Sequence, residues 1–383
     1  MQAASATAAA ATATRPAPTP AADFMPLDGI DHVELYVGNA AQAAYFLERA
    51  FGFRRVAYAG LETGLRDRAS HVLEQGRVRL VVTGALRSGT EIAAHHALHG
   101  DGVKSIALSV RDVDRAFTEA VGRGARALAA PADDIDAGGT VRMATIATYG
   151  ETVHTFVDRS GYDGPFLPGY EPVEDEGAGG EDMLLAIDHI VGNVELGQMN
   201  EWVRFYEDVF GMTEMIHFSD EAISTEYSAL MSKVVASGNG RIKFPINEPA
   251  EGRKRSQIDE YLEFYEGAGA QHIALATRDI VGTVAELRHR GVGFLPIPGT
   301  YYDDVPGRVP EVAGRLADLR RQGILVDHDD EGYLLQIFTR PIGDRPTVFF
   351  ELIERHGATG FGAGNFKALF EAIEREQELR GNL

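Results

Sequence analysis

Two histidines and a glutamate in the second half of this chain stand where ionisable side chains are unfavourable. His189 sits in IDHIVGN and His272 in QHIAL, both short apolar runs, and Glu351 follows Val348, Phe349 and Phe350 in TVFFELIE. A charge in such surroundings needs a partner. The chain has no cysteine, which excludes disulfides, thiolate nucleophiles, thiolate zinc sites and cysteine-ligated iron–sulfur clusters. Any metal must therefore be held by nitrogen and oxygen. Two imidazoles and one carboxylate on one face of an octahedron leave three positions open, a donor set that suits ferrous iron, Fe(2+), although such donors alone do not select one divalent ion. A lone histidine on a strand is more often a satisfied core residue; three such residues at equivalent strands of a repeat favour the metal.

Other motifs carry less. His95, His96 and His99 in EIAAHHALHGDG include the i, i+4 spacing of a helical zinc motif, but His96 occupies the position of its glutamate base, and a solvated helix end is expected. GFGAGNF at 360–366 lacks the spacing of a dinucleotide loop and reads as a hinge before the last helix. DHDDEG at 327–332 is too short for an EF-hand loop and precedes YLLQIFT as a hairpin turn would.

The elements that must position these residues come as a repeat. Ile30-Asp31-His32-Val33 and Ile187-Asp188-His189-Ile190 each open a block and precede a helix-like run, ending YFLERAFGF and FYEDVFGM; GDGVKSIALSVRD matches GAGAQHIALATRD further on. Aligning VHTFVDRSG with FFELIERHG places Thr155 opposite Glu351. The first block thus has His32, Ser105 and Thr155 where the second has His189, His272 and Glu351. Offsets that grow between the repeats imply insertions in the second block. Each unit reads as a short strand, an amphipathic helix and several short strands, so the expected fold is α+β, with four βαβββ units, two per half, whose sheets curl around a central space. Alternation in IDHIVGN predicts His189 on the opposite face from Asp188 and Ile190. Phe366, Leu369, Phe370 and Ile373 recur at helical spacing in an amphipathic closing helix, with Gly381 just past its end.

Residues 1–22, almost entirely Ala, Thr, Pro and Ser, are expected to form a disordered tail. They lack the basic end and apolar stretch of a secretory signal, which suggests a cytoplasmic protein. The acidic, glycine-rich stretch at 171–183 is the expected linker between domains at 23–170 and 184–383. The net charge of −21 argues against nucleic acid and anionic lipid as partners, and no apolar run is long enough to span a bilayer.

The second half closely resembles the 4-hydroxyphenylpyruvate dioxygenases, Fe(II) enzymes of the vicinal-oxygen-chelate (glyoxalase/bleomycin-resistance-like) superfamily. The matching stretches include IDHIVGNVELGQMNEWVRFYEDVFG, TEYSALMSKVV, KFPINEPAEGRKRSQIDEYLEFYEGAGAQHIAL, DEGYLLQIFTRP, RPTVFFELIERHG and GFGAGNFKALFEAIEREQELRGNL. The resemblance runs from about Leu27 to Leu383 and is weaker in the first half. It implies two tandem domains of that superfamily, the first non-catalytic, and a lid formed by the C-terminal helix with Phe366, Leu369 and Phe370. It also implies His189, His272 and Glu351 as catalytic iron ligands, with 4-hydroxyphenylpyruvate and O2 giving homogentisate and CO2 in tyrosine catabolism. Ser228, Pro245, Asn247, Gln257, Gln271 and Gln336 would orient the substrate, and Phe338, Phe361, Asn365 and Phe366 would wall its ring. Family members are homo-oligomers, so a dimer or tetramer is expected. The alternatives are 4-hydroxymandelate synthase, which hydroxylates the benzylic carbon of the same substrate, and a ligand-binding protein of the same fold without chemistry. Phe244-Pro245-Ile246-Asn247 looks like the dioxygenase version.

Overall fold

A computed structural model describes residues 24–174, 182–218, 229–250 and 256–381. The expected tail, most of the expected linker and Ser228 lie outside the described residues. The first half runs β1 (Gly29–Tyr36), α1 (Ala40–Phe46), β2 (Arg54–Ala59), β3 (Arg68–Gln75), β4 (Val78–Ala85), α2 (Glu91–His99), β5 (Gly102–Ser109), α3 (Val113–Gly122), β6 (Ala127–Asp136), β7 (Gly139–Ala147), β8 (Val153–Tyr162) and the short β9 (Glu171–Pro172). The second runs β10 (Ala186–Asn193), α4 (Met199–Phe210), β11 (Thr213–Phe218), β12 (Ala229–Ala236), β13 (Lys243–Ala250), α5 (Gln257–Tyr265), β14 (Gly269–Ala276), α6 (Ile280–His289), α7 (Val305–Arg308), α8 (Leu316–Gln322), β15 (Leu325–Asp329), β16 (Gly332–Phe338), β17 (Phe349–His356) and α9 (Phe366–Arg380).

Each half is one curled mixed sheet made of two βαβββ units, ordered β6-β7-β8-β5-β1-β4-β3-β2-β9 and β11-β12-β13-β10-β14-β17-β16-β15. The opening strands of the paired units meet antiparallel at the centre, β1 with β5 and β10 with β14, and each is flanked on its other side by a parallel partner. The repeat seen in the sequence is therefore a repeat of strand order. Its shared Arg-Asp ending has a local cause: Asp112 and Asp279 are the N-caps of α3 and α6, accepting from the N–H groups of Arg115 and Gly282. The second half carries extra residues between β10 and β14 and a larger insertion, the helical segment between α6 and β15; DHDDEG is the end of β15 and the turn into β16, as expected. Glu171 and Pro172 pair with β2, so the first sheet reaches into the stretch expected as linker.

One apolar core runs through both halves, joining Phe51, Phe156 and Tyr149 to Tyr206, Phe244 and Phe350. A smaller cluster of Leu295, Leu325, Phe338, Phe349, Leu369 and Ile373 seats α9 on the second sheet, and Gly381 ends that helix in the left-handed region. The side chains of Phe366 and Phe370 lie outside the described residues. The histidines of α2 depart from expectation. Only His96 reaches water, beside Asp101, whereas His95 and His99 are buried because α2 packs against α5 of the second half.

Candidate metal centre

Register brings the three donors together. His189 on β10 pairs with Ala274 on β14, and Ala274 pairs with Glu351 on β17. His272 lies two residues before Ala274, so the period of a strand turns all three side chains to one face of three adjacent strands. The Nε2 atoms of His189 and His272 lie 3.2 and 3.3 Å from the same oxygen, Glu351 Oε2, and all three residues are buried. Separations of that size are those of neighbouring ligands on one ion with bonds of about 2.1 Å.

Both imidazoles are oriented from behind. His189 Nδ1 lies 2.8 Å from Asp188 Oδ1, and His272 Nδ1 lies 3.0 Å from Gln271 Oε1. Those acceptors place the ring proton on Nδ1 and leave the Nε2 lone pairs aimed at the shared point. The sequence-based alternation fails here for a physical reason. The ladder slips between Ile187 and His189 and again between Val191 and Gly192, so Asp188 and Gln271 are the extra residues of two β-bulges. A bulge turns consecutive side chains toward one side, which lets each of these residues hold the histidine that follows it. Asp188 is gripped in turn by Arg355, whose Nε and Nη2 each donate to it at 2.8 Å, and Arg355 Nη1 donates to the carbonyls of Ala358 and Gly360 before α9.

The electrostatics suit a cation. Burial alone would raise the Glu351 carboxyl, but the two imidazoles outweigh it and hold the group down at about 2. Burial opposes a charge on His189, yet Glu351 and Asp188 lift it above its ordinary value; His272, equally buried and facing His189, is lowered. Burial would also raise Asp188, but Arg355 and His189 hold it far below the usual carboxylate range. An anionic carboxylate between two imidazole nitrogens is a site that a divalent ion can occupy. The donor set fits the metal inferred from the sequence.

Around the triad, Phe361 meets the His189 ring edge-on at 5.0 Å and Phe338 meets His272 at 5.9 Å. Gln336 Nε2 donates to Glu351 Oε1 at 3.4 Å, and Asn365 Nδ2 donates to Gln336 Oε1 at 3.1 Å. Pro245 and Asn247 lie on β13, beside β10, where Asn247 Nδ2 donates to Asn193 Oδ1 at 3.3 Å. Gln257 and Gln271 line one cleft with Phe349 and Ile373 of α9. Leu369 is buried in the cluster beneath α9.

Sequence reasoning missed Asp188, Asn193, Tyr301, Phe349 and Arg355. Phe349 stacks on His272 at 4.8 Å, and the Tyr301 hydroxyl lies 2.5 Å from Asn365 Oδ1. For Asp188 and Arg355 a signal existed, because Asp31 and Arg159 occupy the same places in the repeat. In the first half Arg159 donates to Asp31 through Nε at 2.8 Å, Asp31 lies 2.6 Å from His32 Nδ1, and Phe166 meets His32 at 5.0 Å. In place of the second imidazole and the carboxylate, Ser105 and Thr155 hydroxyls satisfy one another at 3.1 Å.

The sequence profile of the Glyoxalase/Bleomycin resistance protein/Dioxygenase superfamily matches residues 29–163 and 186–305. The chain is 48% identical to a 4-hydroxyphenylpyruvate dioxygenase of Yarrowia lipolytica, covering 93% of each. It is also 48% identical to that of Dictyostelium discoideum, over 93% of this chain and 100% of the relative. Among solved structures, a triple mutant of 4-hydroxymandelate synthase from Streptomyces coelicolor superposes with a TM-score of 0.84 at 39% identity, over 92% of this chain and 100% of that one. With its paired βαβββ sheets and buried His-His-Glu cluster, the chain belongs to the 4-hydroxyphenylpyruvate dioxygenase family of that superfamily.

Proposed function

We propose that this enzyme converts 4-hydroxyphenylpyruvate and O2 to homogentisate and CO2 in tyrosine catabolism, with Fe(2+) held by His189, His272 and Glu351. The observation that carries the reading is the convergence of two imidazoles and one carboxylate, from three adjacent strands, in a chain so similar to dioxygenases of that name. Iron, when bound, supplies the redox chemistry by which O2 and the α-keto acid react, and three protein ligands leave positions for both.

The chain's own part is to bind, orient and keep out water. Phe338, Phe349 and Phe361 surround the two imidazoles with apolar rings. Gln336, fixed between Glu351 and Asn365, is placed to orient the keto acid. Asn247, Gln257, Gln271 and Ser228 are assigned to the remaining polar contacts, with Pro245 and Phe366 beside the ring. Asn193 joins this set, because among the described residues its buried Nδ2 has no partner, which leaves it for a substrate oxygen. Helix α9 is assigned the role of lid.

Ring attack requires the aromatic ring to be held toward the metal, whereas benzylic attack requires the side chain there instead. The higher identity to the dioxygenases than to the mandelate-forming relative, together with Phe244-Pro245-Ile246-Asn247, favours ring attack. A binding protein without chemistry has no use for the triad. The test is oxygen consumption with 4-hydroxyphenylpyruvate and ferrous iron, followed by chromatography. Homogentisate is expected; hydroxymandelate as the main product, or no oxygen uptake, overturns the reading. Among the described residues no helix is long and apolar enough to cross a membrane. The family resemblance further supports a cytoplasmic homo-oligomer, to be read by light scattering on a sizing column.

A further inference from the structure

A second cluster of ligand-type side chains lies at the seam between the two halves, and the chemistry above makes no use of it. The seam is tight: a Cβ on Gly102 would come within 2.6 Å of the Tyr265 ring, and one on Gly150, at φ +58°, within 2.1 Å of the Ala268 carbonyl. Arg345 of the second half donates to the carbonyls of Leu98 and Ala97 at the end of α2, and to that of Phe264 in α5. Beneath this clasp lie His95 and His99, each 2% exposed and four residues apart, hence on one face of α2.

His99 Nδ1 abuts the Tyr265 carbonyl, which can only accept, so Nδ1 carries a proton and Nε2 is the ring nitrogen left for another partner. That nitrogen faces Glu151 Oε2 at 3.4 Å. A metal ion can take the place of a proton between the two. The spacing matches neighbouring ligands of a tetrahedral ion with bonds of about 2.0–2.1 Å. Among the described residues neither ring nitrogen of His95 has a hydrogen-bond partner. The candidate ligand atoms of His95, His99 and Glu151 all lie within 4.8 Å of one another, so capture of an ion asks only for a small inward shift. Among the described residues, four of the nine buried polar atoms without a partner are here: both nitrogens of His95, Nε2 of His99 and the Tyr265 hydroxyl. A buried polar atom without a partner is unfavourable, and the concentration of four at one point requires an explanation.

We propose that His95, His99 and Glu151 form a second metal site, for a zinc-type divalent ion, with water in the fourth position on the exposed side of Glu151. Two imidazoles and a carboxylate suit zinc rather than calcium or magnesium, which prefer all-oxygen shells. The ion would tie α2 to the turn before β8 and, through His99 and Tyr265, to the second half.

The test is a zinc count on untagged, full-length protein after dialysis against micromolar zinc, by mass spectrometry. Wild type is expected to hold two zinc ions per chain and the His95→Gln/His99→Gln protein one; a second ion retained in that variant, or only one in wild type, overturns the proposal. Should the double variant fail to fold, Glu151→Gln changes a half-exposed side chain and is expected to weaken the second zinc by roughly tenfold or more. Unchanged affinity there overturns it equally. In Glu351→Ala protein, zinc should still raise the melting temperature, and adding Glu151→Gln should abolish that rise; a rise that survives in the double variant counts against the site.

Discussion

Asp188 shows how a residue with no contact to substrate can govern a metal centre. It fixes the His189 tautomer and is itself held by two bonds from Arg355. Asp188→Asn keeps the shape but weakens both interactions, and loss of such a supporting carboxylate typically costs 10- to 100-fold in metal affinity. That loss is the expected result of ferrous iron titration on the variant. Glu351→Ala removes a ligand outright, so turnover should fall by roughly 100-fold or more and bound iron should be lost together with it. Near-normal activity would exclude the proposed centre. The three donors were legible in the sequence because the repeat offered an internal comparison, a histidine against a serine and a glutamate against a threonine. Asp188 was legible only through its repeat counterpart Asp31; alternating polarity hides it, because a strict period of two sends its side chain away from His189 and the bulge that turns it back does not show in the pattern.

The approach to α9 is the element that packs against Gln336 and Asn365. Gly362, at φ +76°, leaves no room for a side chain: a Cβ would stand 1.9 Å from Gln336 Oε1. Gly362→Ala therefore has to displace Gln336 and, with it, Asn365 and the start of the helix. Left-handed backbone adds strain of about 1 kcal/mol for a non-glycine residue. The expected outcome is a marked fall in kcat/KM with iron affinity little changed, because His189, His272 and Glu351 keep their own supports; equal loss of both would show that Gln336 acts through the metal. The C-terminal helix was legible from periodicity. Tyr301 was not, because it belongs to the inserted helical segment, which has no counterpart in the first half, and its bond to Asn365 spans 64 residues.

At the scale of the whole molecule the two halves share one interior. His154 of β8 is buried there, with Nε2 2.9 Å from the Tyr206 hydroxyl, Nδ1 3.1 Å from the Ile106 carbonyl, and the rings of Phe210 and Phe244 against it. Burial lowers its pKa to about 4, against 6.5 ordinarily. Above pH 6.5 this residue adds no pH dependence. Between 6.5 and 4 the unfolded chain binds a proton that the folded chain refuses, so stability falls as the pH falls, by up to about 1.4 kcal/mol per pH unit from this group. Urea unfolding from pH 7 to 4.5 should show a shallower slope for His154→Gln than for wild type; identical slopes would refute the assignment. Residues 184–383 made alone would expose Phe210, Phe244 and Phe350, which now pack against the first half, and are expected to aggregate on a sizing column. Duplication was plain in the sequence, but a shared interior was not, since apolar residues do not reveal which partner covers them.

That common interior bears on how such a duplicated chain can change over generations. Ser105 and Thr155 stand where ligands would be, satisfy one another, and are free to drift so long as something small and polar fills the space. Phe51, which meets Phe350 across the seam at 5.0 Å, has no such freedom. Whatever its own ligand positions hold, the first half therefore serves the second as its inner wall.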